Sequence, residues 1–270
     1  MKKTVLITGS TDGIGLETAR MLVLQGHTVL LHGRNADKLK TVEDELRALP
    51  GAGKVHGHVA DLSHLPDVER LAKAVAHHHD ALDVLINNAG VLGPGGSSFE
   101  DGLDVRFVVN TIAPYMLTLR LLPLIGVDGR VVNVSSAAQS PVDLPALRGQ
   151  ARLADMDAYA QSKLALTMWS AHMAARREDA GPVVVSVNPG SLLGTKMVKD
   201  GFGVAGSDIR IGADILVRAA LSDEFTDASG KYFDNDSGNF ASPHPDALDP
   251  AKCDEVVGVI ERILADKASA

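Results

Sequence analysis

Near its start the chain reads Thr4-Val5-Leu6-Ile7-Thr8-Gly9-Ser10-Thr11-Asp12-Gly13-Ile14-Gly15, an apolar run followed by a glycine-rich turn. The apolar run is typical of a buried strand, and the residues after the turn have helical character. Gly9, Gly13 and Gly15 let the chain turn tightly and let its backbone approach a ligand, while the helix start offers free N–H groups. The glycines could equally serve the turn alone, but their position directly after the first strand favours a phosphate-binding corner.

The same succession of strand and helix runs through most of the chain. Short apolar runs rich in β-branched residues predict strands at 4–7, 28–31, 54–59, 82–86, 130–134 and 183–187. Helical periodicity lies at 14–25, 36–49, 66–79, 103–123, 157–179, 209–221 and 250–265. This order predicts an α/β fold that is doubly wound, with a mostly parallel sheet and helices on both faces. No linker divides the chain, so we expect one domain over residues 1–270, with the Gly/Pro/Ser-rich stretches 90–98 and 229–245 as site loops.

The composition limits the class of protein. The 270 residues include 26 Lys and Arg against 34 Asp and Glu, a formal net charge of −8. An acidic chain offers no electrostatic footprint for a nucleic-acid backbone, so we expect no nucleic-acid partner. Cys253 stands alone, which fits a reducing compartment, and the apolar run before Thr8 is too short for a signal peptide or a membrane span. We therefore expect a cytoplasmic protein with no membrane partner.

A glycine corner that opens a βαβ unit is typical of a dinucleotide site, and the end of the second strand bears on which dinucleotide binds. An NAD site usually places an Asp or Glu there, whereas this chain reads His32-Gly33-Arg34-Asn35. The Arg34 guanidinium can pair with a 2′-phosphate, which favours NADP(H), with NAD(H) as the alternative. A surface arginine at a strand end is the plainer interpretation of Arg34. Asp61, after the third strand, either accepts from the adenine amino group or only caps a helix.

Seven blocks of the sequence match one family in order and approximate spacing. They are Thr8-Gly9-x-x-x-Gly13-x-Gly15, Asp61-Leu62, Asn87-Asn88-Ala89-Gly90, Asn110, Ser136, Tyr159-x-x-x-Lys163 and Asn188-Pro189-Gly190. The chain thereby resembles the short-chain dehydrogenase/reductase family over nearly its whole length. Residues 101–110 and the stretch Gly230-Lys231-Tyr232-Phe233 resemble the retinol dehydrogenase-like branch. The resemblance implies a single Rossmann domain that moves a hydride between NAD(P)H and a carbonyl or alcohol, with a cofactor half at about 1–135 and a catalytic and substrate half at about 136–270.

The proposed chemistry needs a proton donor at the substrate oxygen, and an unperturbed tyrosine has a pKa of about 10. Tyr159 and Lys163 are four residues apart and share a helix face, so the ammonium and the positive charge of an oxidised nicotinamide are expected to favour the phenolate. A Tyr and a Lys at this spacing also occur on solvated helix faces. The resemblance implies that Tyr159 protonates the carbonyl oxygen and Ser136 holds it. Lys163 then binds the nicotinamide ribose, and Asn110 holds a water that refills the proton through the lysine.

Ser135 and Ser136 end the fifth strand, where successive side chains point to opposite faces, so one of the two faces the site. Alignment with the family motif selects Ser136. The resemblance also implies cofactor contacts at the strand ends and in the glycine loop, where Thr195 stands one place later than in the family pattern. These contacts are Gly9, Ser10, Thr11, Asp12, Gly13, Ile14, Gly15, Arg34, Asp61, Leu62, Asn88, Ala89, Gly90, Tyr159, Lys163, Pro189, Gly190 and Thr195.

Two further segments bear on the substrate. The insertion between Ser136 and Tyr159 is longer than in compact members of the family, and its apolar residues either roof the pocket or form a surface excursion. Residues 191–208 combine apolar side chains with hinge glycines, which favours a loop that closes over a hydrophobic carbonyl or secondary alcohol. Thr111 and the four residues after it differ from the retinol dehydrogenase-like pattern, so a retinoid substrate is not carried over.

Other features of the sequence bear on metal binding, self-association and rival functions. The histidines at 56, 58 and 77–79 lack accompanying metal-ligand spacing, so no metal is expected. Met168, Trp169 and Met173 recur at helical spacing and predict core or subunit contact, and the family's pairing through the Tyr159 helix makes a homodimer or homotetramer plausible. The rival functions on this fold are an NADP-binding sensor, a sugar-nucleotide epimerase or dehydratase, and a reductase of carbon–carbon double bonds.

Overall fold

One eight-stranded sheet runs through the protein, in a computed structural model that describes residues 1–93, 102–177 and 181–268. The strands are β1 (Thr4–Ile7), β2 (Thr28–Gly33), β3 (Val55–Val59), β4 (Leu82–Asn87), β5 (Ile125–Val134), β6 (Val183–Asn188), β7 (Tyr232–Asp234) and β8 (Asn239–Ala241). Their order is β3-β2-β1-β4-β5-β6-β7-β8, and every neighbouring pair is parallel except β7 and β8. The order reverses beside β1, so the carboxyl ends of β1 and β4 open a crevice of the kind that holds ligands in doubly wound folds.

Ten α-helices are found in the described residues. They are α1 (Gly13–Leu24), α2 (Ala36–Arg47), α3 (Leu65–His78), α4 (Val105–Phe107), α5 (Ala113–Leu121), α6 (Leu144–Leu147), α7 (Asp155–Arg177), α8 (Lys196–Phe202), α9 (Ile209–Leu221) and α10 (Pro250–Ala268). Two apolar clusters flank the sheet, one against α3, α5, α7 and α10 and the other against α1, α2 and α9. The predicted doubly wound Rossmann fold, mostly parallel and covered on both faces, is confirmed.

The structure differs from the predicted elements at several places. Neither β7 nor β8 was predicted, and they convert much of the predicted loop 229–245 into a sheet edge. The predicted helix 103–123 is broken by a π-helical turn at Val108–Ile112 between α4 and α5. The end of the predicted helix 157–179 lies outside the described residues, as do residues 94–98 of the predicted loop 90–98.

The helix α7 is covered by α10 within the same chain. Trp169 is fully buried, and its indole meets the Tyr115 ring edge-on at a centroid distance of 5.5 Å. Met168, Trp169 and Met173 belong to the same apolar cluster as Val256 and Ile260 of α10. The three predicted core residues of α7 are therefore core, and the side of α7 that they occupy is closed by the protomer's own C-terminal helix.

A buried ion cluster holds α4 against the start of α7. The Arg106 guanidinium donates to both carboxylate oxygens of Asp104, at 2.8 and 2.6 Å, and also to Asp155 at the first turn of α7. Arg106 and Asp104 are 5% and 7% exposed. Charges buried to this extent need their partners, so this cluster fixes where α7 begins.

None of the described helices is both long enough and apolar enough to cross a membrane.

Candidate active site

The glycine corner between β1 and α1 is packed to backbone contact. Gly9 has a φ of +64°, and a Cβ added there would lie 2.8 Å from the Ala89 Cα, so a larger residue is excluded on both counts. A Cβ on Gly15 would lie 2.4 Å from the Gly9 carbonyl oxygen. Asp12 caps α1 by accepting from the Gly13 N–H at 2.8 Å. The corner therefore presents the start of α1 at the sheet edge, in a shape that only small residues permit.

His32, which was not among the predicted site residues, lies directly beneath this corner. Its Nδ1 accepts from the Gly9 N–H at 3.1 Å, so its Nε2 carries the proton and donates to the Ala60 carbonyl at 3.1 Å. The backbone N–H of His32 also donates to the Ser10 hydroxyl at 2.9 Å. Burial lowers the pKa of His32 to about 4, which keeps the ring neutral at ordinary pH. One imidazole thus ties together the ends of β1, β2 and β3.

The far end of the corner carries several charged groups. Arg34 lines the cavity just after β2, and Asn35 caps α2 by accepting from the Lys38 N–H at 2.8 Å. The Lys38 ammonium in turn lies 2.5 Å from an Asp12 carboxylate oxygen and lowers the pKa of Asp12. Lys38 is a second cation four residues after Arg34 in the sequence, and the strand-end pattern did not single it out because it lies in the first turn of α2.

The third and fourth strand ends complete the walls around the corner. Asp61 accepts from the backbone N–H and the hydroxyl of Ser63, at 2.9 and 2.8 Å, and so closes a turn before α3, whose N-cap is His64 and not Asp61. Asp61 and the buried Leu62 both line the cavity. The Asn88 amide donates to the Thr8 and Gly9 carbonyls at 2.9 and 3.1 Å. Asn88 therefore braces the glycine corner from β4.

Asn110 sits in the π-helical turn, and its Oδ1 and Nδ2 both bond other parts of the protein. Its Oδ1 accepts from the Val91 N–H at 2.8 Å, while its Nδ2 donates to the Val91 carbonyl and to the Ser162 hydroxyl. These bonds join the β4 loop to α7. Both N–H groups of the amide and one Oδ1 lone pair serve the protein, so the second Oδ1 lone pair is the side-chain position left for the predicted water.

Lys163 is buried at the centre of the site. Its ammonium donates to the Val134 carbonyl at 2.6 Å and lies 5.8 Å from the centroid of the Tyr159 ring. A Cβ added to Gly90 would lie 3.5 Å from this ammonium, so the small residue at the end of β4 leaves the space open. Burial lowers the pKa of Lys163 to about 8.

Tyr159 faces the same space, with the Ser136 hydroxyl as its hydrogen-bond partner. Burial raises the pKa of the Tyr159 phenol, and the hydrogen bond from the Ser136 hydroxyl acts in the opposite direction and lowers that pKa. In the protein alone, loss of hydration therefore outweighs the hydrogen bond from Ser136, and the pKa of Tyr159 lies above rather than below its ordinary value. The two serines at the end of β5 diverge. Ser135 is buried against the Lys163 carbonyl and the Thr167 hydroxyl, whereas Ser136 points to Tyr159.

The stretch after β6 makes a left-handed turn before it reaches Thr195. Leu192 has a φ of +50°, and its carbonyl accepts from the Ser207 N–H at 2.8 Å. Pro189 and Gly190 line the cavity before this turn. Thr195 follows it as the N-cap of α8, with its hydroxyl accepting from the Val198 N–H at 3.2 Å and its methyl group facing Gly13. Thr195 therefore lies at the cavity wall beside the glycine corner, and its oxygen is shared with the helix cap.

A continuous cavity of about 930 Å³ joins these groups. It runs from Arg34, past the glycine corner, to Tyr159, and all of the predicted site residues except Ser10 and Asn110 line it. The walls near Tyr159 are mostly apolar, and the residues that form them are Val91, Leu92, Val105, Val109, Ala137, Ala138, Met156, Met197 and Val198. This end of the cavity suits an apolar molecule whose polar atom reaches Tyr159 and Ser136.

The insertion before Tyr159 directs its apolar side chains into the core rather than over this cavity, while most of its polar residues and its prolines are exposed. Leu147 is fully buried, and Val142, Leu144 and Leu153 pack against the apolar cluster that contains α7 and α10. The cavity wall takes only Ala137 and Ala138 from the start of the insertion, and Met156 from the start of α7. The insertion therefore does not form a roof over the cavity, and it is not a purely surface segment, because its leucines extend the core.

A second cavity, of about 620 Å³, lies beside β3, the strand at one edge of the sheet. Its lining includes His56, His58, His78 and His79. The His58 and His79 rings lie 6.5 Å apart, and burial with mutual repulsion lowers the pKa of His58 to about 4. In the described part of the chain, no three His, Cys, Asp or Glu side chains are arranged to hold a metal ion.

Comparison with known proteins fits the fold and the cavity. A model of the short chain dehydrogenase family matches residues 3–202. The chain belongs to the short-chain dehydrogenase/reductase family of oxidoreductases, and its relatives place it in the retinol dehydrogenase-like branch.

Two kinds of relative illustrate this. Retinol dehydrogenase 12 of Mus musculus is 32% identical over 244 residues, covering 86% of this chain and 77% of that protein. A solved structure from Mycobacterium paratuberculosis has a TM-score of 0.80 at 27% identity and covers 96% of this chain and 92% of that one. A structure from Shigella flexneri, complexed with NADP, has a TM-score of 0.69 at 29% identity and covers 87% of this chain and 97% of that one.

Proposed function

We propose that this protein transfers a hydride between NADP(H) and a carbonyl group or secondary alcohol of a hydrophobic molecule. The observation that carries the proposal is the cavity. At one end it has a glycine corner and Arg34, and at the other end it has Tyr159 beside Ser136 and Lys163.

The residues present fit a nicotinamide dinucleotide. Gly9 and Gly15 let the protein's own backbone close tightly around the corner, and the cavity runs along Gly13 and Ile14 at the start of α1, where free backbone N–H groups suit a pyrophosphate. When bound, the nicotinamide supplies or accepts the hydride. The backbone of Gly13 and Ile14 at the start of α1 would hold the pyrophosphate, and Lys163 beside Gly90 would hold the nicotinamide ribose.

Tyr159 acts in this proposal as the proton donor in reduction and the proton acceptor in oxidation. Its raised pKa keeps the phenol protonated at neutral pH, which is the form that reduction requires. Ser136 bonds the substrate oxygen and holds it at the phenol. Asn110 positions the loop at Val91 and the turn of α7 at Ser162, so its part is to hold the site together.

NADP(H) is favoured over NAD(H) by the cations at the adenosine end. Arg34 lines the cavity, no carboxylate ends β2, and Lys38 lies in the first turn of α2, where it pairs with Asp12 of the glycine corner. Both cations can pair with a 2′-phosphate, although Lys38 would have to leave Asp12 to do so. NAD(H) binding lacks the carboxylate that usually holds the ribose hydroxyls.

The substrate class follows from the walls near Tyr159. Lys163 lies beside Tyr159, and one of the three N–H donors of its ammonium bonds the Val134 carbonyl, while the other cavity residues named near Tyr159 are apolar. A charged substrate would lose its hydration there without a free partner, because Lys163 holds the nicotinamide ribose in this proposal. We therefore infer an uncharged, apolar carbonyl compound or alcohol.

Steady-state assays test the proposal. Wild type is incubated with a panel of apolar ketones, aldehydes and secondary alcohols, with NADPH and NADH in parallel, beside Tyr159→Phe. We expect turnover with NADPH that falls at least a hundredfold in Tyr159→Phe, while NADPH binding is kept. Binding of NADPH without turnover across the panel would favour the sensor function, and a fully active Tyr159→Phe would exclude the proposed proton donor.

The Trp169 side of α7 is not available for self-association. The side of α7 that carries Trp169 is covered by α10, so a homodimer or homotetramer would use another surface. Light scattering on the purified protein gives the oligomeric state directly.

A further inference from the structure

We propose that Tyr232 is a positioning residue for the reaction and that it acts by fixing the backbone of Ser136. The inference rests on the proposed function, in which Ser136 holds the substrate oxygen. Tyr232 lies on β7, a strand at the far side of β6, and does not line the cavity.

The contact is a hydrogen bond between the Tyr232 hydroxyl and the Ser136 carbonyl. The oxygen atoms are 3.1 Å apart, and Tyr232 is 6% exposed. Burial and the neighbouring carboxylates of Asp234 and Asp236 raise the pKa of Tyr232. The phenol is therefore neutral throughout the working pH range and is always a donor.

A second donor meets the same carbonyl. The Gln139 amide donates to the Ser136 oxygen at 3.0 Å, and the Gln139 oxygen accepts from the His244 N–H at 3.0 Å. The Ser136 carbonyl thus accepts two hydrogen bonds, one from Tyr232 and one from Gln139, and Gln139 is itself held by His244. Two donors from different parts of the chain fix the peptide plane that follows Ser136.

The orientation of this peptide plane decides where the Ser136 hydroxyl points. Ser136 stands where β5 ends, beyond the strand ladder that orients Ser135. Its hydroxyl oxygen accepts from the Ala138 N–H at 3.1 Å, which turns the hydroxyl proton toward the cavity and Tyr159. A small rotation of this plane would break that contact and shift the hydroxyl away from the substrate oxygen, and shifts of this size are costly in catalysis.

Steady-state kinetics of four proteins test the inference: wild type, Tyr232→Phe, Ser136→Ala and the double variant. We expect Tyr232→Phe to lower kcat about tenfold, with the KM and the Kd for NADPH unchanged. In the Ser136→Ala background the same substitution is expected to change kcat less than twofold, because its effect passes through Ser136.

Tyr115→Phe is the matched control. The Tyr115 hydroxyl is also buried and bonded, to Glu261 at 2.9 Å, but it lies between α5 and α10, away from the cavity. Both phenylalanine variants lose one hydroxyl bond, and thermal melting confirms that both are folded. We expect Tyr115→Phe to keep the wild-type kcat. Equal losses in the two variants, or a Tyr232→Phe effect that is undiminished in the Ser136→Ala background, would overturn the inference.

Crystal structures of wild type and Tyr232→Phe give a readout that does not depend on turnover. We expect the Ser136 hydroxyl in Tyr232→Phe to rotate away from Tyr159. An unmoved hydroxyl would overturn the positioning role. If wild type turns over no substrate, the proposed function fails, while the crystallographic comparison still decides whether Tyr232 orients Ser136.

Discussion

Replacing His32 by alanine tests how far the glycine corner depends on a side chain beneath it. The substitution removes the acceptor for the Gly9 N–H and the donor for the Ala60 carbonyl, both at 3.1 Å. His32 is 3% exposed, so water cannot freely replace the ring. Because Gly9 and Ala60 both line the cavity, the loss falls on the walls of the cofactor site.

The size of the effect follows from the two bonds. A buried polar group left without a partner costs about 1–3 kcal/mol, and two such groups are created. We expect part of this free-energy cost to lower the stability of the whole fold. The remainder is expected to loosen the glycine corner and so to weaken NADPH binding. A share of about 1.4 kcal/mol in the corner corresponds to a tenfold higher Kd for NADPH.

NADPH fluorescence titration measures the Kd, and two further variants sharpen the result. In His32→Asn the amide oxygen takes the place of Nδ1 and can accept from Gly9, so we expect an intermediate Kd. His27→Ala is the matched control, because the His27 Nδ1 accepts from the Lys3 N–H at 3.0 Å at the opposite end of β2. It should reduce stability and leave the Kd unchanged.

The reasoning is refuted if His32→Ala and His27→Ala raise the Kd for NADPH equally. Such a result would mean that both histidines act only through general stability. The same conclusion follows if His32→Ala melts at a lower temperature with an unchanged Kd.

Three further predictions concern charge. Arg34→Ala should raise the KM for NADPH about tenfold or more and leave the KM for NADH unchanged in steady-state assays, and equal increases would exclude a 2′-phosphate contact. Arg106→Ala leaves the Asp104 carboxylate buried and unpaired, so urea unfolding should give a loss of about 3–5 kcal/mol, against less than about 1 kcal/mol for the exposed Arg120→Ala. Burial lowers the pKa of His32 to about 4 in the folded protein, whereas in the unfolded chain its pKa is about 6.5. As the pH falls below about 6.5, His32 therefore takes up a proton in the unfolded chain but not yet in the folded protein, which favours unfolding. Stability should therefore drop between pH 6.5 and 4, by about 2 kcal/mol at pH 5 from His32 alone, and His32→Asn should lack this contribution in urea titrations at each pH.

Six strands and the glycine corner could be predicted because their signals are local. Apolar runs such as those of β1 and β6 are short but continuous, and each is followed by a turn and a helical period. The strands β7 and β8 could not be recognised in this way. Each has three residues and lies among Asn, Asp, Ser and Gly. The strand β7 pairs with the edge that β6 offers, and β8 pairs in turn with β7.

Residues whose role depends on distant partners were also missed. A histidine in an apolar strand is usually a core residue, and nothing near His32 in the sequence announces bonds to Gly9 and Ala60. The expected effect of Lys163 on Tyr159 followed from their spacing on one helix. Spacing carries no information on hydration, and the burial of both groups reverses the direction of the pKa shift for Tyr159.

The turn between β6 and Thr195 holds a strained residue that other parts of the chain support. Leu192 has a φ of +50°, a conformation that costs a non-glycine residue about 1–2 kcal/mol. The Asp236 carboxylate offsets this cost, because it accepts from the Ser191 N–H at 2.8 Å and from the Asn188 amide at 2.9 Å. Asp236 follows β7, the strand that also carries Tyr232. The same edge of the sheet therefore supports two neighbouring parts of the cavity wall, the turn that leads to Thr195 and the backbone of Ser136, and a shift of β7 would disturb both together.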